Sequence, residues 1–195
     1  GTSHFQITLS TVGLDTMLLG IEACKNYKKS GGKGLIGLHL EGPYFNPIKK
    51  GAHVEKYVRK PTLDEIKTLI DASQGIVTYL TLAPEICDDE CLELLIDSEI
   101  SLSVGHSDAT FEQAKAAFNK GLTRVTHLFN AMSGLHHHAP GMVGAALAHA
   151  RFAEVIPDLL HVHPGAILAA RRAVPRLYAV TDATAATGMP DGDYR

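Results

Sequence analysis

An incomplete (β/α)8 barrel is the fold class this sequence predicts, with about seven β/α units on one partial domain, residues 1–195. Three observations carry it. Short β-branched runs alternate with longer amphipathic ones along the chain. No G-x-G-x-x-G follows the first strand, as a doubly wound dinucleotide-binding sheet would have it. Polar residues recur at the C-terminal ends of successive strands, where a barrel brings them to one mouth and an open sheet scatters several.

Taken in order, FQITLS reads as strand and LDTMLLGIEACKNY as helix; LIGLHLE as strand and LDEIKTLIDAS as helix; IVTYLTL as strand and DECLELLIDSE as helix. ISLSVGH and TFEQAKAAFNKG, RVTHLFN and MVGAALAHA, and AEVI and PGAILAARRA repeat the pairing, and RLYAVTD closes the series. Ser107, Asp108 or Thr110 offers a helix N-cap, and Gly121 the residue beyond a helix C-terminus. His106 to His127 and His161 to Asp182 are both steps of 21 residues, each carrying a polar side chain from one strand end to another. The first residues lack an initiator Met and PDGDYR closes without a further element, so the chain reads as cut at both ends and one strand short of closure.

The 45% hydrophobic content supports a folded core. Eighteen basic against 21 acidic residues, a net charge of −3, give no footprint for nucleic acid or an anionic membrane, and a small-molecule partner fits better. Three cysteines without a C-x-x-C pair argue against a disulfide framework, and Cys87 and Cys91 read as helix residues. No apolar stretch reaches the ~18 residues of a membrane span, so a cytoplasmic protein is expected.

Glu41, His106, His127 and Asp182 all fall at strand ends. One such group is usually a hydrogen-bonded structural residue; four facing one cavity need a common partner, and a cation satisfies them. One carboxylate and two neutral imidazoles suit one divalent ion, Zn2+ or Fe2+, with a water in the open position. Asp182 then reads as general base beside that water, which implies hydrolysis. The long excursion EGPYFNPIKKGAH, residues 41–53, ends in His53, which can reach back over the ion and polarise a carbonyl.

HLEGPYFNPIKKGAH, SVGHSDATFEQAKAAF, THLFNAMSGLHHHAPG and AVTDATAATG, in that order and spacing, closely resemble the N-acetylglucosamine-6-phosphate deacetylases of the amidohydrolase superfamily. The resemblance implies a metal-dependent deacetylase on a (β/α)8 barrel, releasing acetate and glucosamine 6-phosphate, as a homodimer at full length. It implies metal ligation by Glu41, His106 and His127, and catalysis by Asp182 and His53. It also implies contacts to the sugar and its phosphate from Ala52, His53, Asn130, Ala131, His138, Asp158, Leu159, Leu160 and His161.

The sequence departs from the family in four places. His138 stands where relatives often carry an Arg that meets the phosphate across the dimer, and a mostly neutral imidazole is a poorer anion fork. Leu159 stands where a Gly is usual. The first strand, with its H-x-H pair, and the terminal β-sandwich are missing, so one metal is expected. Two competing readings are an amidohydrolase acting on a cyclic amide and a metal- or phosphosugar-binding fragment without catalysis.

Overall fold

The computed structural model of the chain describes residues 2–184 and 186–194. Seven strands form one sheet: β1 (Phe5–Ser10), β2 (Leu35–Glu41), β3 (Val77–Leu82), β4 (Ser101–Val104), β5 (Arg124–Val125), β6 (Phe152–Val155) and β7 (Arg176–Ala179). All neighbouring pairs are parallel, and sheet order equals chain order, which leaves β1 and β7 as edges. Six helices connect them: α1 (Leu14–Lys29), α2 (Leu63–Ser73), α3 (Asp89–Ile96), α4 (Phe111–Asn119), α5 (Gly141–His149) and α6 (Pro164–Ala173). Each expected strand and helix forms in the stretch read for it, with several ends displaced. The result is a curled half-barrel of seven parallel strands with helices.

Strand alternation divides the sheet into two faces. Leu38, Leu40, Leu80, Leu82, Leu102, Val104, Val125 and Ala153 share the apolar core with Met17 and Ile21 of α1, Ile66 and Leu69 of α2, Leu92 and Leu95 of α3, and Phe118 of α4. The intervening residues His39, Glu41, Thr81, Ser103, Thr126 and Glu154 are polar and buried. A sheet whose inner face is this polar must satisfy its own hydrogen bonds. His39 Nδ1 lies 3.1 Å from Thr8 Oγ1 and its Nε2 lies 2.7 Å from Thr81 Oγ1; Thr81 meets Thr126 at 2.8 Å, and Thr126 donates to Ser103 at 2.8 Å. Because the Thr126 hydroxyl is spent on Ser103, Thr81 donates to Thr126 and accepts from His39 Nε2–H. The His39 Nδ1 then accepts from Thr8, and the ring is neutral with both nitrogens satisfied.

Three strands stop short of their expected ends. His106 (φ 48°), His127 (φ 31°) and Asp182 (φ 50°) adopt left-handed backbone, which turns the chain out of the ladder. Thr110 caps α4 through a capping box with Gln113, Gly121 follows the helix with φ 118°, and Cys87 precedes α3 while Cys91 lies within it. Among the described residues no helix is long and apolar enough to cross a membrane.

Candidate active site

β2 delivers Glu41 as its last residue, and the chain then turns at Gly42 with φ 91°. A Cβ on Gly42 would collide with Thr11 Oγ1, which itself donates to the Glu41 carbonyl at 3.2 Å, so the turn admits only glycine. The excursion that follows packs Phe45 flat on the His106 ring, centroids 4.1 Å apart and planes 20° apart. It also brings the Lys49 carbonyl within 2.8 Å of His106 Nδ1.

Glu41, His106 and His127 meet. Glu41 Oε1 lies 3.3 Å from His106 Nε2 and 3.2 Å from His127 Nε2, and the two imidazole nitrogens are 3.0 Å apart. Bonds of about 2.0–2.1 Å to a tetrahedral ion would set donors roughly 3.3 Å apart, so the triangle has the size of one face of such a site. All three side chains are buried. Glu41, His53 and His106 form a second possible grouping, with ligand atoms within 4.8 Å of one another. His53 Nε2 stands 3.9 Å from Glu41 Oε1, farther than either of the other imidazoles.

The protonation pattern suits a cation. With His106 Nδ1 turned to the Lys49 carbonyl, Nε2 is the nitrogen that faces the Glu41 carboxylate, the orientation a metal ligand needs. Burial pushes the Glu41 carboxyl up, but hydrogen bonds from His106 and His127 outweigh it and hold the group well below the usual carboxylate range. Burial pulls His127 down, yet its hydrogen bond to Glu41 and the charges of Glu41 and Asp182 raise it above the ordinary histidine value. A metal ion bound at Nε2 would displace any proton carried there. His127 Nδ1 is buried without a partner among the described residues.

Burial, with His106 second, brings His53 down to about 4 despite Glu41, leaving a neutral ring near pH 7. Its Nδ1 accepts from Thr11 N–H at 3.3 Å, which assigns the proton to Nε2, on the side facing Glu41.

Of the remaining sequence candidates, one hydrogen-bonds to a residue of this centre. Asn130 Nδ2 donates to the His127 carbonyl at 3.3 Å. Ala131, with φ 47°, accepts from Ser107 N–H at 3.1 Å. Ala52, His138 and Asp182 are exposed. Asp158, Leu159, Leu160 and His161 form an exposed turn in which the Asp158 carboxylate accepts from Leu160 N–H and His161 N–H at 2.9 Å each and pairs with His161 Nδ1 at 2.6 Å. The His161 backbone bond foremost, then its ring, holds the Asp158 carboxyl at about 2. Leu159 adopts φ 68°, the left-handed conformation that a glycine would enter without strain.

Sequence reading missed Thr11, Phe45 and the Lys49 carbonyl. The aromatic in EGPYF was a usable signal for Phe45; nothing local marks a carbonyl 57 residues away as the partner of His106.

No family model matches the chain. It is 39% identical over its whole length to the N-acetylglucosamine-6-phosphate deacetylase of Vibrio furnissii, covering 50% of that protein. It is likewise 39% identical to the N-acetylgalactosamine-6-phosphate deacetylase of Escherichia coli O157:H7, covering 53% of it. The crystal structure of N-acetyl-D-glucosamine-6-phosphate deacetylase from Mycobacterium smegmatis superposes on all of the chain with a TM-score of 0.91 at 34% identity, the chain covering 52% of it. A variant of that mycobacterial enzyme in complex with N-acetyl-D-glucosamine-6-phosphate gives 0.90. The chain spans about half the length of the curated relatives it matches. The resemblance carried by the four motifs therefore extends over the entire chain.

Proposed function

We propose that this chain is the (β/α)8-barrel segment of a metal-dependent deacetylase that hydrolyses the acetamide of N-acetylglucosamine 6-phosphate to glucosamine 6-phosphate and acetate. The observation that carries the reading is the meeting of Glu41 Oε1, His106 Nε2 and His127 Nε2 at 3.0–3.3 Å. Its support from outside the chain is similarity, at 34–39% identity, to proteins that bear that name.

Glu41, His106 and His127 would hold one divalent ion, and Zn2+ or Fe2+ suits their two nitrogens and one oxygen. Such an ion supplies Lewis acidity to the amide carbonyl and to an attacking water. His53, neutral and protonated on Nε2, donates to the carbonyl oxygen and strengthens that bond as negative charge develops. Asp182 accepts the proton of the water and returns it to the departing nitrogen, since an amine leaves only when protonated. Ala52, Asn130, Ala131 and the turn of Asp158, Leu159, Leu160 and His161 orient the sugar. By the same resemblance, His138 meets the phosphate across a homodimer interface.

A second substrate, N-acetylgalactosamine 6-phosphate, is favoured by one observation: the relative named for that sugar is as identical to the chain as the relative named for the gluco epimer. Acetate release should be measured on both phosphosugars and on a panel of cyclic amides, with and without chelator. Chelator-sensitive release from a phosphosugar is the expected result. Turnover of a cyclic amide alone, or binding of metal and phosphosugar without acetate, would replace the proposal with one of its competitors.

A further inference from the structure

The element after β3 carries none of the groups assigned above, yet one of its side chains bonds to the loops that flank His106. Glu85 lies in the short 3-10 turn Pro84–Ile86. Its Oε1 accepts from Asn46 Nδ2 at 3.0 Å and from Asp108 N–H at 2.7 Å, and its Oε2 accepts from the Ser107 hydroxyl at 2.8 Å. Bonds to an ionised acceptor are roughly twice as strong as neutral ones. One carboxylate thus ties together the loops that follow β2 and β4.

Both loops act on His106. Ser107 is the next residue in the chain, and its backbone is also fixed by Ala131 and Ser133 at 3.1 Å each. Asn46 N–H donates to the His106 carbonyl at 3.0 Å, while its side chain caps the 3-10 turn Pro47–Lys49. That turn presents the Lys49 carbonyl to His106 Nδ1. His106 itself sits at φ 48°, a conformation costing a non-glycine residue about 1–2 kcal/mol, so it persists only where its surroundings impose it.

We propose that Glu85 is a positioning residue: through Ser107, Asp108 and Asn46 it holds the backbone of His106 and the carbonyl that orients its ring, and so aims Nε2 into the metal-binding triangle. The inference rests on the reading of Glu41, His106 and His127 as a metal site and adds a second carboxylate, outside that triangle, to its support.

The test is a Co2+ titration of the chain followed by its visible absorption band, alongside urea unfolding without metal. Glu85→Ala is expected to weaken Co2+ binding about 10–100-fold, the usual cost of losing an outer hydrogen-bond partner, and to change the band even at saturation because His106 tilts. Glu85→Gln keeps an oxygen for Asn46 and Asp108 and is expected to restore affinity to within about threefold of wild type. Ile66→Val, a cavity in the core stripe of α2, lowers stability without altering the saturated band. If Glu85→Ala fails to fold, Asn46→Ala removes one of the three bonds and is expected to weaken binding by several-fold. Unchanged affinity and band in the Ala variants, or an equal change in Ile66→Val, overturns the positioning role alone. A wild-type chain that takes up no Co2+ overturns the metal-site reading, and this inference with it.

Discussion

Replacing His39 by Gln should flatten the acid limb of the chain's stability curve. His39 is 7% exposed, and burial, outweighing the attraction of Glu41, brings it down to about 4 from an ordinary 6.5. The folded state therefore binds fewer protons than the unfolded one between those values. The stability tied to His39 is full above pH 6.5 and is lost as pH falls toward 4. The linkage relation gives a loss of about 2 kcal/mol between pH 7 and pH 5, and about 3 kcal/mol over the whole interval. Glutamine retains polar atoms for Thr81 but does not titrate, so its curve lacks this component. With a urea slope of about 2 kcal/mol/M, the wild-type midpoint should fall by about 1 M more than that of His39→Gln between pH 7 and pH 5. Urea melts at half-unit pH steps, with chelator present to remove metal linkage, measure the difference directly. Parallel curves would refute the neutral, hydrogen-bonded His39 and with it the tautomer assigned along Thr8, Thr81, Thr126 and Ser103.

Other expectations follow from single residues. Asp182→Asn should leave bound metal intact, as measured by elemental analysis, and reduce acetate release by about 10²–10⁴-fold, the usual range for a general acid/base; an active variant would remove Asp182 from that role. Leu159→Gly should relieve the left-handed strain at φ 68° and raise stability by about 1 kcal/mol, or roughly 2–4 °C in Tm by calorimetry. Divalent metal should raise Tm and release protons on binding, because His127 is shifted upward from its ordinary value and a ligating imidazole must give up its proton; chelator should reverse both.

The strands and helices were legible because two periods alternate along the chain. LIGLHLE and IVTYLTL each send every second residue to the helices, while LDEIKTLIDAS and DECLELLIDSE place Ile66, Leu69, Leu92 and Leu95 on one buried stripe. Strand ends were less legible. RVTHLFN reads as seven strand residues, yet only Arg124 and Val125 pair, since the left-handed turn at His127 ends the ladder. Glu41, His106 and His127 could be found from sequence because each sits where a strand leaves the sheet. The groups that orient them could not: the Lys49 carbonyl, Thr11 and Glu85 act through contacts between loops, and neither carbonyls nor loop carboxylates leave a periodic trace. The inner polar chain around His39 was hidden for another reason, since a lone histidine in an alternating strand looks the same whether it faces solvent or the sheet interior.

Anomalous diffraction at the zinc edge, on crystals of the chain carrying one equivalent of Zn2+, bears most directly on the proposed chemistry. The expected map shows a single ion bonded to Glu41 Oε1, His106 Nε2 and His127 Nε2 at about 2.0–2.2 Å, with His53 outside the coordination sphere. An ion held by the exposed imidazoles of His136, His137 and His138, or no ordered ion at the triangle, would contradict it.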